Sequence, residues 1–130
     1  MFKSDFRVAD DDCDAEGGIT HELMHVLGAI HTQTRPDRKN YIKVNKNCII
    51  NEEVALFQYK LCEDCETHGV PYKCNSIMHY YDWMFSTGPG CPTMTAADGN
   101  LDCPNIGGNE PLEEDWELLR REHCEVPPTM

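Results

Sequence analysis

Three histidines, one glutamate and one glycine fall within a short stretch of the chain, in the order His21, Glu22, His25, Gly28 and His31. On a helix, His21 and His25 project from the same side because they are four residues apart. Gly28 can adopt the positive φ that ends a helix, so the chain can turn and bring His31 to the same point. Three protein ligands leave a fourth position for water, which is the arrangement of a catalytic zinc site.

The residue types define the chemistry of such a site. One Zn²⁺ ion lowers the pKa of a bound water molecule and polarises a peptide carbonyl. Glu22 follows a ligand directly, so it can sit near that water without coordinating the metal and act as general base. The sequence therefore predicts zinc-dependent hydrolysis of peptide bonds by a metal-activated water. The predicted metal ligands are His21, His25 and His31, and the predicted catalytic base is Glu22.

The apolar residues of the same stretch fall in one stripe, opposite the chelating side of the helix: Ile19, Leu23, Val26, Leu27 and Ile30. We expect a helix over about 19–28, with Gly18 or Thr20 as its cap. Its apolar face would anchor in a core and its other face would present the ligands to a cleft. The alternative is an amphipathic helix with incidental histidines.

Two further segments carry a family resemblance. Thr32-Gln33-Thr34-Arg35-Pro36-Asp37-Arg38-Lys39-Asn40-Tyr41 follows the third histidine, and Ser76-Ile77-Met78-His79-Tyr80-Tyr81 comes much later. An extended zinc motif followed by a Met-containing turn resembles the metzincin zinc endopeptidases in general. The residues that resemble the astacin family within the metzincins are Arg35, Asp37, Arg38 and Tyr80.

The resemblance implies an α+β, zincin-like metalloprotease fold, present here mainly as the lower, C-terminal subdomain with disulfide-stapled loops. Residues 1–124 would form a partial astacin-like peptidase domain and residues 125–130 a tail. Besides the zinc helix, this domain would contain a Met-turn at about 76–80 and a C-terminal helix at about 111–123. The upper subdomain that precedes the zinc helix in the family would be missing. The apolar stripe of the helix would then lose its usual partner, so that it is either covered in another way or belongs to a fragment that folds poorly alone.

The resemblance also implies roles in the Met-turn. Met78 would be an apolar cushion under the ligands, and His79 would be structural. Tyr80 would be an additional zinc ligand and a catalytic residue, which swings away to hydrogen-bond the developing oxyanion. A phenol next to a metal has the chemistry for both, since its oxygen can act as ligand or as donor.

Charge and hydropathy limit the partners. The chain has 130 residues, with 11 Lys and Arg against 23 Asp and Glu, and a formal net charge of −12. This balance argues against nucleic acid or an anionic membrane surface as partner, because both require basic patches. No apolar run approaches the roughly 20 residues of a membrane span. The expected partner is a protein or peptide substrate.

Eight cysteines indicate a secreted, disulfide-stapled protein, an extracellular localisation that the family resemblance also implies. Cys62 and Cys65 have the spacing of redox and zinc-ribbon motifs, but an acidic interior and the lack of a second such pair favour a disulfide. Eight cysteines allow 105 pairings, and the sequence does not choose among them. By the resemblance, Cys13 and Cys124 match cysteines that bond into the upper subdomain. Here they would be free, paired with each other, or paired with another chain.

Weaker patterns place the remaining elements. Residues 41–44 alternate in polarity and predict a short extended segment, and residues 51–59 predict one or two helical turns. Trp116 lies at helical spacing from other apolar residues, so we expect it in the core. His68 and His123 lack metal-ligand spacing and are expected to be surface or locally bonded residues.

Two alternatives to an active zinc endopeptidase stay open. The first is a truncated astacin-like fragment that binds zinc without turnover and acts as a binding module. The second is a disulfide-rich interaction domain without metal, which requires the zinc motif to be accidental.

Overall fold

A computed structural model of the chain describes residues 15–98 and 102–124. The helices and strands, in chain order, are α1 (Ala15–Val26), β1 (Ile42–Val44), α2 (Glu52–Gln58), β2 (Met94–Ala96) and α3 (Glu113–His123). The predicted α+β class is confirmed. None of the helices in these residues is long and apolar enough to cross a membrane.

The C-terminal end of α1 is a hydrogen-bonded turn closed by glycine. Gly28 has φ +107°, its N–H donates to the carbonyl of His25 at 2.9 Å, and the N–H of Ala29 donates to the carbonyl of Met24 at 2.9 Å. This pair of bonds is the Schellman arrangement, which requires a residue with positive φ. The turn at Gly28 is as predicted, but the predicted cap at Gly18 or Thr20 is wrong because α1 already includes both residues.

The two sides of α1 have different surroundings. Met24 is 1% exposed and packs in a cluster with Ile77, Met78 and Leu119. The opposite side is exposed along its length, through Ile19, Leu23, Val26 and Leu27. The prediction that this stripe anchors in a core is therefore wrong. The Met24 side packs against the Met-turn and α3, whereas the described residues leave about half of each side chain on the other side exposed.

A second cluster lies around the two-stranded sheet. β1 and β2 pair antiparallel, with Ile42 opposite Ala96 and Val44 opposite Met94. The buried residues of this cluster are Ile42, Ile49, Tyr59, Tyr72, Cys74, Tyr80, Met94 and Cys103. The expected extended segment and the expected helix are both confirmed, as β1 and α2. The helix α2 is capped by Asn51, whose Oδ1 accepts from the N–H of Val54 at 2.8 Å.

The Met-turn is tied to the start of α3. The hydroxyl of Ser76 donates to Asp115 Oδ1 at 2.6 Å and accepts from the N–H of Met78 at 2.9 Å. The other oxygen of Asp115 accepts from the N–H of Leu112 at 2.8 Å. The expected burial of Trp116 is wrong: its side chain is 43% exposed. The buried side of α3 runs through Asp115 and Leu119, and Trp116 lies beside that face.

Two consecutive glycines, Gly107 and Gly108, pack closely against the residues that flank the Met-turn. The N–H of Gly107, at φ +100°, donates to the carbonyl of Cys74 at 2.7 Å. A Cβ on Gly107 would lie 2.4 Å from the ring of Tyr81, and a Cβ on Gly108 would lie 2.0 Å from the carbonyl oxygen of Asn75. Both distances are far below van der Waals contact, so only glycine fits at either position.

Three disulfides staple the loops: Cys62–Cys65, Cys48–Cys91 and Cys74–Cys103. The first confirms the predicted disulfide role of Cys62 and Cys65, whereas the sequence did not choose any of the three pairings. Cys124 is exposed and forms no disulfide with any described residue. Cys13 lies outside the described residues.

Candidate metal centre

The structure brings the three predicted histidine ligands to one point. One nitrogen from each of His21, His25 and His31 lies within 4.8 Å of the others. The Nε2 atom of His25 is 3.0 Å from Nε2 of His21 and 3.2 Å from Nε2 of His31. The geometry follows from the sequence, because α1 aligns the first two rings and the turn at Gly28 returns the chain to place the third.

Backbone carbonyls fix which nitrogen carries the proton in two of these rings. His21 Nδ1 is 2.8 Å from the carbonyl oxygen of Ile77, and His25 Nδ1 is 2.8 Å from that of Ala29. A carbonyl can only accept, so each Nδ1 must be the donor. In the neutral rings the Nε2 atoms then hold lone pairs, and these point at each other.

Converging lone pairs fit a bound cation. Without a proton between them, two Nε2 atoms 3.0 Å apart repel each other. Tetrahedral zinc with Zn–N bonds of about 2.0–2.1 Å places its ligand nitrogens about 3.3 Å apart, close to the spacing seen here. Hydrogen bonds from the second ring nitrogen to backbone carbonyls are also the usual way of orienting metal-ligating histidines. This donor set therefore fits Zn²⁺.

Burial keeps the rings in the ligating form. The pKa of His31 is lowered to about 3, first by burial and then by the neighbouring His25 and His21. Burial also lowers the pKa of His21, against a raising effect of its hydrogen bond to Ile77. Both imidazoles are thus neutral at physiological pH, as metal coordination requires.

Glu22 lies beside this centre. Its side chain is half-buried, and its charge raises the pKa of both His21 and Tyr80, so it lies near both groups. The carboxylate has no hydrogen-bond or ion-pair partner among the described residues. It is therefore free to accept a proton.

Tyr80 borders the centre on the side of His31. The centroids of the two rings are 4.5 Å apart, and Tyr80 is 9% exposed. Burial, with smaller effects of Tyr59 and Glu22, raises the pKa of the phenol to about 12. Its hydroxyl donates to Gln58 Oε1 at 2.5 Å.

Gln33 and the Met-turn hold the segment that follows His31. The N–H of Thr32 donates to the carbonyl of Met78 at 3.0 Å, and the N–H of Tyr80 donates to Gln33 Oε1 at 2.9 Å. Gln33 is fully buried, and its Nε2 has no hydrogen-bond partner among the described atoms. These bonds hold the Met-turn in place relative to His31, the third ligand.

The two arginines that follow the third histidine bond to backbone and side-chain groups of the fold. Arg35 is buried, forms a bidentate pair with Asp37 at 3.0 and 2.9 Å, and donates to the carbonyl of Val70. Arg38 donates to the carbonyls of Gln33 and Tyr59. They secure the chain between the third histidine and β1.

The remaining histidines are bonded elsewhere. His79 is buried, with Nδ1 donating to the carbonyl of Tyr80 and Nε2 accepting from the hydroxyl of Tyr72. Burial lowers its pKa to about 4. His68 pairs with Glu122, and exposed His123 bonds the carbonyl of Leu27.

Sequence reasoning missed four partners of the site: the carbonyls of Ile77 and Ala29 and the side chains of Gln33 and Gln58. A carbonyl leaves no trace in residue type, and a glutamine distant in sequence carries no spacing signal. Only Gln33, two residues after a ligand, had a position that could have drawn notice.

Comparison with known proteins agrees with this centre. The profile of the peptidase family Astacin matches residues 5–124. The zinc metalloproteinase nas-36 of Haemonchus contortus is 35% identical over 115 residues, 88% of this chain and 18% of that protein. The zinc metalloproteinase nas-38 of Caenorhabditis elegans is 39% identical over 82 residues, 63% of this chain and 11% of that protein.

A solved structure shows the same fold. High choriolytic enzyme 1, a hatching enzyme zinc-protease from the medaka fish Oryzias latipes, superimposes with a TM-score of 0.71 at 33% identity. The match covers 80% of this chain and 50% of that one, which confirms the expected metalloprotease fold. The chain thus spans half of the solved protease and less than a fifth of these two curated relatives. Since the profile covers most of the sequence and the histidine set fits zinc, this chain belongs to the astacin family of zinc metalloproteases.

Proposed function

We propose that the chain is part of an extracellular zinc endopeptidase that hydrolyses peptide bonds in proteins. Residues 1–124 belong to an astacin-like peptidase domain and residues 125–130 to a tail. The observation that carries the proposal is the convergence of three Nε2 atoms, two of them with their protons fixed on the other ring nitrogen. The three disulfides are typical of extracellular proteins.

His21, His25 and His31 hold the metal. When bound, zinc acts as a Lewis acid that acidifies a water molecule and polarises the scissile carbonyl. The carboxylate of Glu22 takes the proton of the attacking water and passes it to the nitrogen of the leaving amine. The described residues offer this carboxylate no hydrogen-bond or ion-pair partner, which supports the role, since a carboxylate held in an ion pair would be a weaker base.

Tyr80 is both a further ligand and a hydrogen-bond donor in this proposal. In the metal-free chain its phenol is protonated at neutral pH, and burial raises its pKa further, to about 12. A neutral phenol can donate to the oxygen that becomes negative as the peptide carbonyl is attacked. Its ring contact with His31 supports a place at the edge of the metal centre.

The test is cleavage of an internally quenched peptide by the zinc-loaded chain. We expect Glu22→Gln to keep one zinc per chain and to lose cleavage by at least about a hundredfold, because general base catalysis contributes roughly 10²–10⁴-fold. Glu53→Gln, which changes an exposed glutamate on α2, is the matched control and should cleave normally. Normal cleavage by the Glu22 variant would refute the role of this residue.

A second candidate is a zinc-binding module without turnover. The exposed apolar side of α1 favours it. Zinc bound at one ion per chain without cleavage of any peptide in a mixed library would support this candidate. A chain that binds no zinc would exclude both.

A further inference from the structure

The positive charges of the chain are unevenly distributed. Of the 11 Lys and Arg residues, five lie within residues 35–46, where the single acidic residue is Asp37. Arg35 pairs with Asp37, whereas four cations have no ion-pair partner among the described residues: Arg38, Lys39, Lys43 and Lys46. On the other side of the comparison, Lys73 and Arg120 both pair with glutamates. A local surplus of positive charge therefore lies on a protein whose formal net charge is −12.

Three of these unpaired cations line one open groove. The groove has a volume of about 390 Å³ and is lined by residues of the 3-10 turn Arg38–Asn40 and of the sheet. Its cations are Arg38, Lys39 and Lys43, of which the two lysines are exposed. Asp98 is the one acidic residue among the lining residues. The apolar part of the lining consists of Ile42, Val44 and Ala97.

Arg38 is a half-buried cation without a counter-ion among the described residues. Its Nη1 donates to the carbonyls of Gln33 and Tyr59 at 3.0 and 2.6 Å, and its other N–H groups bond to no described residue. Burial lowers the pKa of Arg38 against an opposing effect of Tyr72, but a guanidinium stays charged in proteins. A charge taken partly out of water is unfavourable unless an opposite charge compensates it. The groove therefore favours an anionic ligand.

The surroundings of the groove favour the carboxylates of a polypeptide over a long polyanion. Val44 and Ala97 can contact the apolar side chains that stand between Asp or Glu residues in an extended segment. A sulfated polysaccharide has no such side chains. As a long polyanion it would also run over the remaining surface, which is acidic at a net charge of −12 and repels it. A short acidic segment meets the cations alone.

We propose that the groove lined by Arg38, Lys39 and Lys43 is a docking site for an acidic segment of a protein partner. Its cations pair with Asp or Glu side chains of the partner, while Val44 and Ala97 contact the apolar residues between them. The inference goes beyond the proposed function and does not depend on it, because the groove contains none of the metal ligands. The acidic remainder of the chain repels the same segment and so directs it to this surface.

The test is binding of a short peptide that carries a neutral dye, measured by fluorescence anisotropy at low salt. Glutamates alternate with valines in this peptide, and the same peptide with glutamines is the neutral reference. The chain carries Glu22→Gln, so that the peptide is not cleaved. An exposed ion pair contributes a factor of roughly 1.5–5 to an equilibrium. With three cations, we expect the Glu peptide to bind about tenfold more tightly than the Gln peptide, and added salt to reduce this preference.

Substitutions then locate the binding. Lys39→Gln together with Lys43→Gln removes two of the three cations, so the preference should fall to about twofold. Lys73→Gln together with Arg120→Gln is the matched control, because it removes the same charge from two cations that already pair with glutamates. This control should keep the tenfold preference. Asp98→Asn should tighten binding of the Glu peptide by about two- to fivefold, and a gain of affinity cannot come from misfolding.

Each outcome bears on the docking site alone. Equal binding of the two peptides by the chain with an intact groove would overturn the docking site and leave the metal centre untouched. An equal loss in the lysine variant and its control would overturn it as well, because net charge would then account for the binding. Tighter binding of a heparin-derived oligosaccharide than of the Glu peptide, lost with the two lysines, would overturn the choice of a polypeptide as partner.

Discussion

The two sides of α1 both carry apolar side chains but differ in how deeply these are buried. On one side, Met24 is 1% exposed and the histidines reach hydrogen-bond partners in the Met-turn and the following loop. On the other, Leu23 is 52% exposed and Val26 is 55% exposed. The consecutive residues Leu23 and Met24 therefore lie on different sides of one helix, the first on a largely exposed apolar side and the second on a packed side.

Amphipathic spacing thus identifies a face of a helix but not what covers it. Burial of a Leu, Val or Met side chain is worth about 1.5–3 kcal/mol, and the exposed side of α1 gains little of it. Stability and metal binding should both depend on the side that contains Met24. The following predictions test that division, beginning with the largest effect.

Loss of the central ligand should have the largest effect. His25→Ala removes the ring whose Nε2 lies between the other two, so zinc affinity should fall by more than the roughly 10–100-fold cost of losing an outer hydrogen bond. Competition with a chromophoric chelator measures the affinity. Val26→Ala, the next residue on the exposed side, should retain it. A loss below tenfold in His25→Ala would contradict the division.

Truncation of the buried methionine should destabilise the fold. Met24→Ala leaves a cavity among Ile77, Met78 and Leu119, and such changes cost about 2–5 kcal/mol. Leu23→Ala, on the exposed side, should cost less than about 0.5 kcal/mol. Urea denaturation of the zinc-free chain gives both free energies of unfolding. Equal losses would show that the two sides do not differ.

Acid should weaken the histidine side of the molecule. In the metal-free chain, the pKa is about 4 for buried His79 and about 3 for His31, against 6.5 when unfolded. The unfolded chain binds more protons below pH 6.5, so stability is complete above that pH and is lost as pH falls towards these values. His79 alone accounts for about 3 kcal/mol of the free energy of unfolding that is lost between pH 6.5 and pH 4.

Denaturation by urea at several pH values measures this loss. His68→Gln, which replaces a histidine on the surface, is the control and should show the same pH profile as the unchanged chain. A free energy of unfolding that is constant between pH 7 and pH 4 would contradict burial of neutral histidines.

The smallest effect on stability should come from the exposed side of α1. Replacing Leu23 and Val26 together by Gln should change the free energy of unfolding by less than about 0.5 kcal/mol for each position. The same change should reduce binding of a hydrophobic fluorescent dye, since exposed apolar patches bind such dyes. A large loss of stability would mean that this side is covered in solution.

Local spacing carried most of what the sequence could predict. The convergence of His21 and His25 and the positive φ of Gly28 both depend on residues a few positions apart. Helical geometry and the turn that ends the helix determine them.

Long-range pairings were beyond the sequence. The bonds Cys48–Cys91 and Cys74–Cys103, and the contact of Gln58 with Tyr80, join segments whose meeting depends on the whole fold. The predicted burial of Trp116 was wrong for a related reason. Helical spacing shows which residues align with Leu119, but it does not show how α3 is rotated against the Met-turn.

The contact of Gly107 and Gly108 with the chain at Asn75 and Tyr81 has a consequence for variation in this protein. A methyl group added at either position would push on backbone or ring atoms that continue directly into the Met-turn. The carbonyl of Ile77 in that turn accepts the hydrogen bond of His21. A substitution at Gly107 or Gly108 would therefore disturb the histidine centre by displacing the turn that orients His21. Natural or engineered diversity in that loop is therefore constrained by coordination geometry, although the loop itself supplies no ligand.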